Sequence, residues 1–194
     1  ELNQAWLGWK GESAGLTLGR QRVALDNQRW VGNVGWRQNE QTFDAFALQW
    51  KPLASVTLGY HWLDKVHRVA GDDALNPLAR ERDLNDHLFH GAWKGASQQI
   101  TGYAYLHHDQ DVASASTNTY GVRWTGSRLR DGRGPGWTLE AARQNDHADN
   151  PGDFAHEIFV FGPAPVREIN GLDDLALSIL MLNHERPQDF LRHT

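Results

Sequence analysis

Between residues 20 and 44 the chain carries four arginines, Arg20, Arg22, Arg29 and Arg37, interleaved with the carboxylates Asp26, Glu40 and Asp44. A guanidinium presents a planar fork of donors that grips a carboxylate bidentately, so this density of opposed charge suits either recognition of an acidic group or internal ion pairing. Histidines raise a second possibility, metal binding, through His87 and His90, and through His107 and His108 with Asp109 and Asp111. On a strand, positions 87 and 90 face opposite sides, as do 107 and 108. The ligand convergence that zinc requires is therefore absent, and no metal site is expected. The segment 72–86, "DDALNPLARERDLND", alternates charges but lacks the glycine and closing glutamate of a calcium loop. There is no G-x-S-x-G, P-loop or dinucleotide fingerprint, and no Ser–His pair falls on one face near an open edge. A chain without catalytic residues or cofactor is expected.

The elements that must position these groups are strands. "FALQWKPLASVTLGYHW" places Phe46, Leu48 and Trp50, then Ala54, Val56, Leu58, Tyr60 and Trp62, on one face of a hairpin turning near Pro52. Similar alternation predicts strands near 2–10, 15–22, 42–51, 53–63, 87–94, 98–107, 117–125 and 137–144. "WKG" at 9–11, "WKP" at 50–52, "WKG" at 93–95 and "WTG" at 124–126 each end a strand before a turn. Trp9, Trp50, Trp62, Trp93, Trp124 and Trp137 are therefore expected as aromatics at a membrane interface, and Lys10, Lys51 and Lys94 as turn or snorkelling lysines. Turns after the tryptophans are mostly short, whereas the connections 23–41, 64–86 and 108–116 are longer, an asymmetry typical of membrane barrels.

Bulk properties set wide limits. A chain of 194 residues with net charge −5 supports one domain and gives no case for nucleic acid. Nine Trp with one Met and no Cys point to amphipathic surfaces and exclude disulfides. The longest apolar run, "LALSILML" at 175–182, is far shorter than the roughly 18 residues of a spanning helix. By parity the polar face carries His61, Tyr103, Tyr105, Arg123 and Glu140. The apolar face is expected to meet lipid and the polar face a watery lumen, which only a closed barrel allows. Exposure of Ala54, Val56, Leu58, Tyr60 and Trp62 fits that reading. Their burial would fit the alternative, a soluble or surface β-barrel that binds a small ligand in its interior.

The stretch 16–48 resembles the alginate-export family of outer-membrane porins, through Gly19-Arg20-Gln21, Gln28-Arg29-Trp30-Val31-Gly32, Trp36 and Thr42-Phe43-Asp44-Ala45. The resemblance implies a monomeric transmembrane barrel of about eighteen strands in the Gram-negative outer membrane, of which this chain supplies about eight, as a fragment or truncated member. It further implies a channel with lipid as its surroundings, passing anionic or polar small solutes such as uronate-type sugars by passive diffusion. Arg20, Arg29, Arg37, Asp44, His61, Tyr103, Tyr105, Arg123 and Glu140 would line the pore and touch solute. Arg20 and Asp44 lie in phase with Leu18 and Phe46, so they must follow a bulge or sit beyond the bilayer, where they can pair. Residues 1–157 are expected to hold the barrel strands and loops, and 158–194 an atypical tail. Within the tail Leu172, Leu175, Ile179 and Leu182 predict a helix over 171–183, with Asn170 as its cap.

Overall fold

The computed structural model describes residues 2–35, 40–128, 136–153 and 155–162. Nine strands follow one another as an up-and-down meander, each hydrogen-bonded antiparallel to the next. They are β1 (Ala5–Lys10), β2 (Ala14–Gln21), β3 (Thr42–Leu53), β4 (Val56–His67), β5 (Glu81–Lys94), β6 (Gln98–His107), β7 (Thr117–Ser127), β8 (Gly136–Asp146) and β9 (Ala155–Gly162). One helical turn, α1 (Pro77–Arg80), precedes β5, with the Asn76 side chain accepting from the Leu78 amide and Pro77 opening the turn. β9 carries the sheet to Gly162, beyond residue 157, and the helix expected over 171–183 lies outside the described residues.

Alternation fixes two unlike faces. Trp9, Leu16, Leu48, Tyr60, Phe89, Ala104 and Tyr120 stand in register across β1 to β7. A parallel row joins Val56, Trp93, Ile100, Trp124, Leu139 and Phe161. This face is bare: Leu7 is 81 % and Phe161 70 % exposed, and none of Ala54, Val56, Leu58, Tyr60 or Trp62 is buried. Of the six tryptophans expected at an interface, Trp9, Trp50, Trp93 and Trp124 are exposed on this face. Trp137 packs edge-on to Trp124 at 5.9 Å, and Trp62 donates to Asn85 Oδ1 at 3.1 Å.

The opposite face is covered by the connection between β2 and β3. Val23 and Leu25 from that connection are buried with Phe43, Ala45, Leu63, Val66, Leu84, Leu88, Tyr103, Tyr105 and Ala142, with Trp30, Val31 and Ile158 packed at the margin. The hydrophobic core thus lies between a loop and the nominally polar side of the sheet.

The expected closed transmembrane barrel is not formed. Among the described residues β1 pairs only with β2 and β9 only with β8, so the sheet is open. Nine alternating strands also leave β1 and β9 running the same way, and a seam between them would have to be parallel. An open sheet encloses no lumen, and hydrocarbon supplies no partner for the amides and carbonyls of two free edges. The porin, passive channel, monomeric barrel, lipid-partner and outer-membrane expectations all depend on closure and are overturned with it. Side-chain alternation reports which way each residue points. It carries no information about whether the last strand meets the first.

Candidate functional site

The loop that covers the sheet is shaped by local chemistry. Leu25 N donates to Val31 O at 3.0 Å and Gln28 N to Leu25 O at 2.9 Å, closing a compact turn. Asp26 and Gln28 both take φ near +58°, at 59° and 57°, and Asn27 Oδ1 accepts from the Arg29 amide. Asp and Asn tolerate such conformations better than most residues, because their short side chains bond nearby backbone. The turn is anchored at its base by Gln21 Nε2 on Ala45 O at 2.9 Å and by Gln41 N on Asn33 O at 2.7 Å.

At its tip the loop meets a polar cluster on β6 to β8. Asp26 forms an ion pair with Arg123, and Arg29 Nη1 lies 3.1 Å from Glu140 Oε2. Arg123 and Glu140 are directly opposite one another on β7 and β8. Tyr103 Oη donates to Glu140 Oε1 at 2.6 Å and accepts from Trp30 Nε1 at 3.0 Å. The Tyr103 and Tyr105 rings stack with centroids 5.0 Å apart. Burial, reinforced by the neighbouring Glu140 carboxylate, pushes both phenols up, Tyr105 to about 12, so each stays a neutral hydrogen-bonding group. Burial also draws Arg123 down from its ordinary value while Glu140 opposes that shift.

Two hollows flank the loop. One, of about 270 Å³, lies beneath Trp30, Val31 and Gly32, with Phe43, Leu63, Leu84 and Leu88 among its apolar lining. Tyr105, Thr119 and Gln144 add neutral polar groups to its lining. The charges around it are already engaged: Arg82 with Asp109 Oδ2 at 2.9 Å, and His107 Nδ1 with Asp86 Oδ2 at 2.8 Å. Arg68 donates to Leu78 O. The other hollow, of about 710 Å³, lies toward the short turns and includes Thr17, Gln21, Gln49, His61 and His90 in its lining.

Of the residues expected to touch a ligand, Arg29, Tyr103, Tyr105, Arg123 and Glu140 converge at the loop tip. His61 lies on the same face but lines the larger hollow. Arg20 and Asp44 stand apart, paired through Nε–Oδ1 at 2.9 Å and Nη2–Oδ2 at 3.2 Å, with a register shift beside Asp44. His67 Nε2 adds a contact to Asp44 at 2.8 Å. Burial works against ionisation of Asp44, but Arg20 and His67 outweigh it and hold the carboxyl below its usual range. Arg37 lies outside the described residues.

Several participants have partners that the sequence did not assign. Trp30 and Asp26 belong to a loop, where strand parity places nothing. Asp86, at the end of the charge-alternating segment 72–86, and Asp109, beside His107 and His108, are only 4 % and 2 % exposed. The presence of His107 two positions after Tyr105 on one strand face was the available signal for the Asp86 pair. Among the described residues no group of three or more His, Cys, Asp or Glu side chains is arranged to hold a metal ion.

Residues 1–156 match the family described as alginate export. No curated protein and no solved structure matches the chain.

Proposed function

The chain belongs to the alginate export family, and from its geometry we propose that it binds a small, uncharged polar molecule between the β2–β3 loop and the covered face of the sheet, without performing chemistry on it. The 270 Å³ hollow under Trp30, Val31 and Gly32 carries this reading. Ligand pockets combine an apolar lining with a few polar groups that set orientation. Here Trp30, Leu63 and Leu88 offer apolar surface, while Tyr105, Thr119 and Gln144 offer neutral donors and acceptors. Arg82–Asp109 and His107–Asp86 are mutually paired, so a charged ligand would have to break an existing pair to gain a new one. A ring-sized molecule with hydroxyl or amide substituents satisfies both surfaces at once.

The test is ligand-observed NMR against a panel of neutral monosaccharides, uronates and free amino acids. Neutral members are expected to show saturation transfer that disappears in Leu88→Trp, which fills the hollow. Transfer that survives in Leu88→Trp, or its absence across the whole panel, overturns the assignment.

A further inference from the structure

The larger hollow contains a pair of histidines that no catalytic or ligand-binding role described above uses. His61 on β4 faces Leu88 on β5, and His90 on β5 faces Gly59 on β4, so the two imidazoles are diagonal neighbours on the covered face. Gly59 carries no side chain between them, and both rings reach over it. A Cβ built there would lie 3.2 Å from His90 Nδ1 and 3.8 Å from His61 Cε1, so the two imidazoles approach the same point. The row is completed by Tyr103, opposite His90, whose ring occupies the space where Gly121 lacks a side chain. The bulky group on the far side of His90 thereby leans away and leaves the imidazole pair unobstructed.

We propose that His61 and His90 together bind a borderline divalent transition ion, Cu²⁺ or Zn²⁺, with water in the remaining positions. The other histidines with resolved contacts on this sheet are committed elsewhere: His67 to Asp44, His107 to Asp86, and His87 to the Tyr60 hydroxyl. By contrast, among the described residues no hydrogen bond reaches the ring of His61 or His90, and His61 Nδ1 is buried without a partner. A buried polar atom left unpaired is costly, and a site that supplies its missing interaction is a common explanation. Imidazole nitrogen suits Cu²⁺ and Zn²⁺, and affinity for such donors peaks at copper along the first-row series. The adjoining space of about 710 Å³ admits water to the open coordination positions, with Thr17, Gln21 and Gln49 among its polar lining.

The experiment is a Cu²⁺ titration of the intact chain by calorimetry, with electron paramagnetic resonance reporting nitrogen coordination. One site with two coordinating nitrogens is expected in the wild type and in His147→Gln, and it is lost in His61→Gln and in His90→Gln. Gly59→Ala retains both imidazoles while pressing a methyl against His90 Nδ1, and it is expected to weaken the site even if a histidine variant disturbs folding. Equal binding by His61→Gln and wild type overturns the proposal. A loss confined to His147→Gln does the same.

Discussion

Trp30 Nε1 donates to Tyr103 Oη at 3.0 Å across 73 residues of chain, and the same hydroxyl donates to Glu140 Oε1 at 2.6 Å. This contact ties the tip of the β2–β3 loop to the middle of the sheet and connects it to the buried carboxylate that also meets Arg29. The loop is consequently held by a network whose members depend on one another.

Removing the hub of that network should be expensive. The Glu140 side chain is 1 % exposed, and its loss removes the acceptor of the Tyr103 hydroxyl and the counter-charge of the Arg29 guanidinium. Glu140→Leu is expected to destabilise the fold by about 3–5 kcal/mol, the usual cost of breaking a buried pair from one side. Asp44→Asn, which cuts the half-exposed Arg20 pair, should cost about 1 kcal/mol or less. Urea denaturation of the two variants measures both. Equal losses would show that the loop network is no more buried in effect than the outer pair.

A second prediction concerns glycine as a space for a ring. Tyr103 lies over Gly121, its direct neighbour on β7, and an added methyl there would fall within the ring. Gly121→Ala is expected to cost about 1–3 kcal/mol through overpacking, because the Tyr103 ring is also held by its hydroxyl bonds and cannot easily turn aside. Tyr103→Leu in the same background should recover part of that loss relative to Tyr103→Leu alone. A double-mutant cycle with no coupling between the two sites would refute the steric account.

The Asp86–His107 contact predicts how stability responds to alkaline pH. Burial alone would lower His107, but hydrogen bonding and charge attraction from Asp86 prevail and raise it above the ordinary histidine value of 6.5. A raised folded-state value favours folding while the imidazole is protonated. Its contribution is complete below about 6.5 and fades as pH climbs through the raised value. Wild-type stability should therefore include a component that declines above about pH 6.5, and Asp86→Asn should lack it. Denaturation midpoints at a series of pH values on the alkaline side of neutrality decide the matter.

Much of this fold could be read from the sequence because strand alternation is a local property. Leu48, Tyr60 and Phe89 fall on one face, and His61, Tyr103 and Arg123 on the other, wherever the sheet goes. Arg20 and Asp44 broke phase with their apolar neighbours, and the register shift beside Asp44 is the physical resolution. What stayed hidden was long-range. Nothing in Trp30 or Asp26 indicates that a loop folds over β6 to β8, since the contacts to Tyr103 and Arg123 are set by the whole path of the chain. Closure was equally invisible: the alternation of β1 and β9 is the same whether their edges are paired or free. Phe43, Leu63 and Leu88 interrupt the polar face with apolar side chains, and they were the clue that this face is covered.

His61 yields an acid-side prediction that complements His107. Its ring is partly buried on the covered face, and desolvation, assisted by His90, lowers its folded-state value to about 4 from 6.5. Above about 6.5 the imidazole is neutral in both folded and unfolded chains, so pH has no influence through it. As pH falls below that value the unfolded chain takes up a proton that the folded chain resists, and the native state loses ground until the folded-state value is reached. The whole effect is at most about 3 kcal/mol from the size of the shift. His61→Gln keeps a polar side chain of comparable reach but cannot ionise, so its stability should fall less steeply than that of wild type from neutral pH to about 4.5. His67→Gln provides a contrast, because His67 lies against the Asp44 carboxylate and its replacement removes a different interaction. Chemical denaturation across this acid window distinguishes them. If His61→Gln follows the wild-type curve throughout, the imidazole is already protonated or freely hydrated in the native protein, and its burial on the covered face is wrongly assigned.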